Sequence, residues 1–291
     1  MHNYGGVYLL ENNAYLPLGF LADSALTTLN FQTTGDAFYF QNRLLKLASG
    51  IEGDVWTKLS GNQLEVTAHG ATLTGTGNSG YASYSTDSAS GSVVFSFTAD
   101  RAGFACINLT NLTKRNSYSV SLNGRELYNE TYSLPQMLSV SEVNPGDIIS
   151  IRFNCNANEQ GSISAMAAIL DNDLFWQAYD VLNTSTLQLT TFQNTFVEGT
   201  INCDRDGLLY TSIPQNGNWH AYVDGKEAEI TLIGDVMVGI PLSEGTHTVC
   251  FRYENEAFQL GLSISLVCTL LFVGITVPIY NSRRRKGKYE K

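Results

Sequence analysis

The side chains in this chain best suited to chemistry are four histidines, two close aspartate pairs and three tryptophans. His2, His69, His220 and His247 are scattered, and no Cys or His partner stands at metal-ligand spacing from any of them. There is no Gly-x-Ser-x-Gly elbow to present a nucleophile, and no Gly-rich loop ending in Gly-Lys-Ser/Thr to cradle phosphate. Two-carboxylate hydrolysis needs acids that converge on a cleft. Asp171 and Asp173 stand at a predicted helix start, and Asp204 and Asp206 in a predicted turn. Capping and solvation account for both pairs at such positions. The chain therefore reads as having no catalytic residue, no metal site and no cofactor.

Aromatic residues are the binding candidates. Trp219 with Tyr222, and Trp56, offer flat apolar faces with a polar handle, the surface on which a sugar ring stacks. The alternative is packing, with Trp219 filling the core of its own domain and Trp56 filling an interface. Arg152 and Arg252 hold matching places in two similar segments and read as a shared structural ion pair, with two ligand sites as the alternative. Cys106, Cys155, Cys203 and Cys250 sit in strand-like runs. They are expected to be free, buried thiols, with Cys106–Cys155 and Cys203–Cys250 disulfides as the alternative.

These residues must be positioned by a β-rich body, because Tyr and Phe are abundant, Lys and Pro scarce, and short apolar runs are punctuated by Gly, Ser, Thr and Asn. Two segments read as copies. The first holds Asp100-Arg101-Ala102-Gly103, then Asn123-Gly124, then Gly146 ahead of a strand ending Arg152-Phe153. The second holds Asp204-Arg205-Asp206-Gly207, then Asp224-Gly225, then Gly245 ahead of a strand ending Arg252-Tyr253. The offsets are 104, 101 and 99 positions. Asn-Gly and Asp-Gly supply the two positive φ angles of a type I′ hairpin turn, and the flanking runs alternate in polarity as strands do. Each copy is expected to be one antiparallel sandwich.

Helices are predicted at two places. Asp36 caps an apolar-striped run that stops at Gly50. Asp171 caps a shorter one whose Leu174, Phe175, Ala178 and Leu182 would pack on a sandwich. Residues 8–20 read as strand-like, with Pro17 near the end.

Phe258 to Tyr280 is 23 residues without a charge. About 20 such residues in a helix cross the hydrocarbon core of a bilayer. Arg283-Arg284-Arg285-Lys286 and Lys288 follow, the positive flank of a cytoplasmic end. The tail after Tyr280 has six basic residues against Glu290, so a chain of net charge −10 carries −15 over residues 1–280. So acidic a body excludes a nucleic-acid partner. Residues 1–6 carry no signal-peptide pattern. Delivery of the body to the outside then requires earlier membrane helices, and the chain is expected to be the C-terminal part of a larger membrane protein.

The chain resembles the YfhO family of bacterial multi-spanning membrane proteins. The likeness rests on Leu16-Pro17-Leu18-Gly19-Phe20, Phe40-Gln41-Asn42-Arg43-Leu44-Leu45 and Leu208-Leu209-Tyr210-Thr211-Ser212-Ile213-Pro214. It extends to Trp219-His220-Ala221-Tyr222-Val223-Asp224-Gly225-Lys226, Gly245-Thr246-His247 and Phe258-Gln259-Leu260-Gly261-Leu262. The resemblance implies an upstream membrane bundle similar to lipid-linked-sugar glycosyltransferases, followed by an extracytoplasmic β region and a last helix. It implies a parent protein that decorates cell-wall polymers of the lipoteichoic acid type, with the reactive carboxylate upstream of this chain.

The expected organisation is mainly β. Residues 1–79 form a small α+β segment, 80–170 a first sandwich, 171–185 a connecting helix and 186–257 a second sandwich. Residues 258–280 form a transmembrane helix and 281–291 a basic cytoplasmic tail. The expected role is an accessory or acceptor-binding module whose partners are the bilayer, the upstream bundle, and a cell-wall polymer or lipid-linked sugar. The competing roles are an anchored carbohydrate-binding ectodomain and a scaffold without sugar chemistry.

Overall fold

The computed structural model describes residues 2–4, 7–9, 12–30, 36–112, 117–131 and 136–286. Residues 287–291 of the expected basic tail lie outside the described residues. The fold is mainly β: two antiparallel sandwiches with a layer of helices between them and one apolar helix at the C-terminal end.

The outward sheet of the first sandwich runs, strand by neighbouring strand, Arg125–Thr131, Ser117–Leu122, Ile148–Cys155, Gly91–Thr98, Leu64–His69. Its helix-facing sheet runs Gln136–Val143, Gly103–Leu112, Gln160–Leu170, Tyr81–Ser85, Thr72–Gly77, and Trp56–Leu59 adds to Gln160–Leu170. The second sandwich repeats this plan. Its outward sheet runs Lys226–Ala228, Trp219–Val223, Gly245–Tyr253, Phe196–Cys203, Gln188–Gln193, and its helix-facing sheet runs Thr231–Ile233, Met237–Leu242, Gly207–Pro214, Gly19–Ala22. The strand order within residues 100–153 recurs within residues 204–253, where Thr231–Ile233 adds an edge strand that the first copy lacks.

The register repeats as well. Leu122 pairs with Ile149 and Tyr118 with Phe153 in the first copy. Val223 pairs with Val249 and Trp219 with Tyr253 in the second. Both hairpins turn on two left-handed residues, Asn123 (φ 50) with Gly124 (φ 80) and Asp224 (φ 51) with Gly225 (φ 77), the geometry of a type I′ turn. The copies also differ in where one central strand comes from. Beside Gly103–Leu112 lies Gln160–Leu170, from later in the chain. The matching place beside Gly207–Pro214 is taken by Gly19–Ala22, from near its start. Strands of residues 56–77 likewise complete the first sandwich, so the segment before residue 80 contributes to both.

Period-two alternation buries one face of each sheet. Phe95, Phe97, Ile107, Ile149, Ile151 and Phe153 fill the first core, and Leu209, Val238, Ile240, Val249 and Phe251 the second. Helix α1 (Ala37–Ser49) starts where Asp36 accepts from Tyr39 N, and stops at Gly50 in left-handed conformation. Helix α2 (Asn172–Thr184) starts where Asp171 accepts from Leu174 N. Phe38 of α1 with Leu174 and Phe175 of α2 pack on the first sandwich around Trp56, Cys106 and Ala168. Ala48 of α1 and Leu182 of α2 pack on the second around Ala22, Leu208 and Ile233. The helices thus join the sandwiches through apolar contact on both sides. Among the described residues of the strand-like run 8–20, residues 8, 9, 19 and 20 are in strands.

Cys106, Cys155, Cys203 and Cys250 are free and buried. Burial pushes the Cys106 and Cys155 thiols up to about 11 and raises that of Cys203. A thiol so buried and so little ionised reacts slowly. At neutral pH the folded protein is therefore expected to give a thiol reagent no reactive cysteine outside the C-terminal helix, and all five once unfolded. Labelling of these four in the folded state would contradict the packing.

Helix α3 (Glu256–Lys286) begins two residues after strand Gly245–Tyr253. Its stretch Glu256–Pro278 has mean hydropathy 2.3 and no buried residue, and it is long and apolar enough to cross a membrane.

Candidate functional site

Three of the four paired aspartates have structural roles, and Asp173 lies in the first turn of α2. Asp171 caps α2, Asp204 accepts from Ser185 Oγ at 3.2 Å and from Arg205 at 3.0 Å, and Asp206 Oδ1 accepts from Glu244 N at 2.7 Å. Among the described residues, no three His, Cys, Asp or Glu side chains converge as metal ligands.

Trp56 is 9% exposed, its ring 5.2 Å from that of Phe38 and its Nε1 donating to Gln41 Oε1 at 2.8 Å. Trp219 packs on the second core, with its ring 5.2 Å from that of Tyr253. Trp219 and Tyr222 are three residues apart on one strand, so they lie on opposite faces of the sheet. The structure does not bring them together.

Tyr222 faces outward and meets other residues there. In the outward sheet of the second sandwich, Arg252 pairs with Phe196 on one side and His220 on the other. One step along, Cys250 pairs with Glu198 and Tyr222, and Tyr222 pairs with Glu227. Directly opposed residues share a face with Cβ atoms ~5 Å apart. The result is a patch across four strands, with Phe196, Arg252 and His220 in one row and Glu198, Cys250, Tyr222 and Glu227 in the next. The Arg252 guanidinium carbon lies 5.0 Å from the Tyr222 ring centre and 5.8 Å from that of Phe196. Cys250, 7% exposed, forms the floor. His220 Nδ1 is 3.9 Å from Glu227 Oε1.

Arg252 is therefore held by two π faces. Among the described residues, neither it nor Arg152 lies within ion-pair distance of a carboxylate. The shared ion pair expected from sequence is corrected by this geometry. Arg152 instead donates to Ser92 Oγ at 3.0 Å, and its cross-strand neighbours are Val94 and Ser119. The two arginines occupy the same register position, but the flanking pair is Val and Ser in the first sandwich and Phe and His in the second. Only the second offers rings. A cation held on aromatic faces gains ~0.5–1 kcal/mol at an exposed site, and a guanidinium has five N–H donors, so the contact of Arg252 with Cys250 leaves others for a ligand.

The sequence did not point to Phe196, Glu198 or Glu227, or to His220 as a neighbour of Arg252, because cross-strand neighbours are set by register. Phe196, Tyr222 and Arg252 share no spacing that a linear pattern would flag.

The hairpin turns also diverge. In the first copy Asn123 Nδ2 donates to Asp147 Oδ1 and Asn123 Oδ1 accepts from Ile148 N, both at 2.8 Å. In the second copy Asp224 accepts from Thr248 N at 2.9 Å and lies 2.8 Å from His247 Nδ1. The bond to His247 is the main cause holding the Asp224 carboxyl below its usual range. A carboxylate whose pKa falls on folding stabilises the fold above its unfolded pKa, and this is lost as pH falls through the folded value. Asp224→Asn is expected to melt lower than wild type at neutral pH and to show a shallower loss on acidification. Parallel thermal-melt curves would refute the linkage.

Among solved structures, the chain resembles a family 35 carbohydrate-binding module from Clostridium thermocellum at 12% identity and TM-score 0.27, over 39% of this chain and 96% of that one. It resembles the Streptomyces avermitilis α-L-rhamnosidase, complexed with L-rhamnose, at 11% identity and TM-score 0.24, over 68% of this chain and 25% of that one. It also resembles a family 11 carbohydrate-binding module from Clostridium thermocellum at 15% identity and TM-score 0.20, over 42% of this chain and 93% of that one. No curated protein matches the chain. The sequence profile described as Bacterial membrane protein YfhO matches residues 1–265, a span that takes in both sandwiches, the helix layer and the start of α3. This chain belongs to the YfhO family of bacterial membrane proteins.

Proposed function

We propose that the β body is an extracytoplasmic, glycan-binding accessory module of a membrane glycosyltransferase-like protein, and that it holds a cell-wall polymer of the lipoteichoic acid type. The observation that carries this reading is the patch of Phe196, Arg252 and Tyr222 with Glu198, His220 and Glu227 around it. A sugar ring has an apolar face and an equatorial girdle of hydroxyls. The rings suit the first, and a guanidinium with nearby carboxylates suits the second. α3 anchors the module, with residues 1–257 outside and 283–291 inside by the positive flank. His220 and Glu227, 3.9 Å apart, are read as part of the hydroxyl-binding rim, and in this reading transfer chemistry belongs to an upstream part of the parent protein.

The test is a titration of the membrane-reconstituted chain with soluble wall-polymer fragments. Tyr222→Ala and Arg252→Ala are each expected to weaken binding by roughly 1–3 kcal/mol without lowering the melting temperature. Binding unchanged in both variants would overturn the assignment to this face. Sugar transfer by the chain alone, from a lipid-linked donor to a teichoic acid acceptor, would overturn the accessory role.

A further inference from the structure

Outside α3, the two most exposed large apolar side chains among the described residues are Phe192 at 69% and Tyr15 at 63%. They come from distant parts of the chain, yet they line one shallow groove with Leu16, Pro17, Leu18 and Leu189. Isolated exposed apolar residues are ordinary, but a contiguous group marks an interaction surface.

The position of the groove identifies its partner. Strand Gly245–Tyr253 leads to α3 with only Glu254 and Asn255 between them. Three Cα–Cα steps from Tyr253 to Glu256 span at most about 11 Å, so the end of the second sandwich at Tyr253 must sit close to the membrane that α3 crosses. Phe192 lies at that end, three residues before Thr195, whose carbonyl accepts from Tyr253 N at 2.9 Å. Tyr15 arrives there by a different route. Gly19 pairs with Thr211, and Ser212 N donates to Leu18 O, so the residues before Gly19 run back alongside the end of strand Gly207–Pro214. The next loop, Gln215 to Asn218, reaches the same end, since Glu254 N donates to Asn218 O.

We propose that this rim, Tyr15 and Phe192 with Leu189 and the groove wall of residues 16–18, seats in the interfacial layer of the bilayer, so that the second sandwich rests on the membrane. Tyr favours that layer because it brings an apolar ring and a polar hydroxyl together, and Phe and Leu bury apolar surface at the headgroup–acyl boundary. Glu254 and Glu256 flank the α3 entry and limit the depth to the headgroup level. Phe192 and Leu189 lie on strand Gln188–Gln193, which pairs with the Phe196 strand of the aromatic patch, but the rim shares no residue with that patch and the proposal does not depend on sugar binding.

The experiment reconstitutes the full chain in phosphatidylcholine–phosphatidylglycerol vesicles, with or without bromine on the acyl chains. Phe192→Trp and Tyr15→Trp are each read against wild type, which subtracts the native tryptophans. Leu127→Trp, on the outermost strand of the first sandwich, serves as the water-exposed reference. Added emission that shifts to the blue and loses most of its intensity in brominated vesicles, for Phe192→Trp and Tyr15→Trp but not Leu127→Trp, is expected. Emission matching that of Leu127→Trp would overturn the proposal. A blue shift without bromine quenching would also overturn it, because it would mean that protein rather than lipid covers the rim.

Discussion

Gly80→Ala is expected to unfold the first sandwich. Gly80 has φ +90, and a Cβ built there would lie 1.9 Å from the carbonyl oxygen of Ala165. That oxygen cannot withdraw cheaply, because Ala165 N donates to Gly80 O at 2.8 Å and residues 160–170 form the central strand of the helix-facing sheet. The left-handed backbone alone costs an L-residue ~1–2 kcal/mol. The added clash brings the total above ~4 kcal/mol, comparable with the whole stability of many domains. Gly124→Ala is the matched control. Its φ is +80, but nothing lies within 4 Å of its Cβ. It should lose only the backbone term, ~1–2 kcal/mol. Thermal melting followed by circular dichroism separates the two, and a Gly80→Ala protein melting within a few degrees of Gly124→Ala would contradict the strand placement.

Trp56→Ala is expected to destabilise the fold by ~3–5 kcal/mol, as deletion of a large buried ring does. The Trp56 side chain ties α1 to the first sandwich twice, its ring packing on Phe38 and its Nε1 donating to Gln41 Oε1 at 2.8 Å. Its backbone N–H and carbonyl also bond Asn42, at 2.7 and 2.8 Å, and these survive the substitution. The same substitution distinguishes the two roles that the sequence left open. Packing predicts a large fall in denaturation midpoint, whereas a ligand platform predicts an unchanged midpoint and weaker glycan binding.

Much of the fold was legible because local chemistry dictated it. Asp36, Gly50 and Asp171 terminate helices through backbone groups a few residues away, and Asn123-Gly124 and Asp224-Gly225 set their own turns. The duplication could be read because it repeats those turns at a nearly constant offset. What escaped was non-local. Gly19–Ala22 completes the second sandwich nearly two hundred residues ahead of its partner strand, and a four-residue strand carries too little pattern to show that. The site divides in the same way. Tyr222 was visible as an aromatic on a strand, but strand alternation sends Trp219 to the other face. Arg252 was visible as one of a repeated pair, but what it touches depends on register across three strands. Its partners are therefore rings in one copy and a serine in the other.

The central claim, that the outward sheet of the second sandwich holds a glycan, is tested most directly by amide hydrogen exchange of the reconstituted chain with and without wall-polymer fragments. Protection on binding is expected in Phe196–Cys203, Trp219–Val223 and Gly245–Tyr253, with the equivalent strands of the first sandwich, Gly91–Thr98, Ser117–Leu122 and Ile148–Cys155, unchanged. Protection confined to the first sandwich, or no protection at polymer concentrations that saturate intact cell walls, would contradict it.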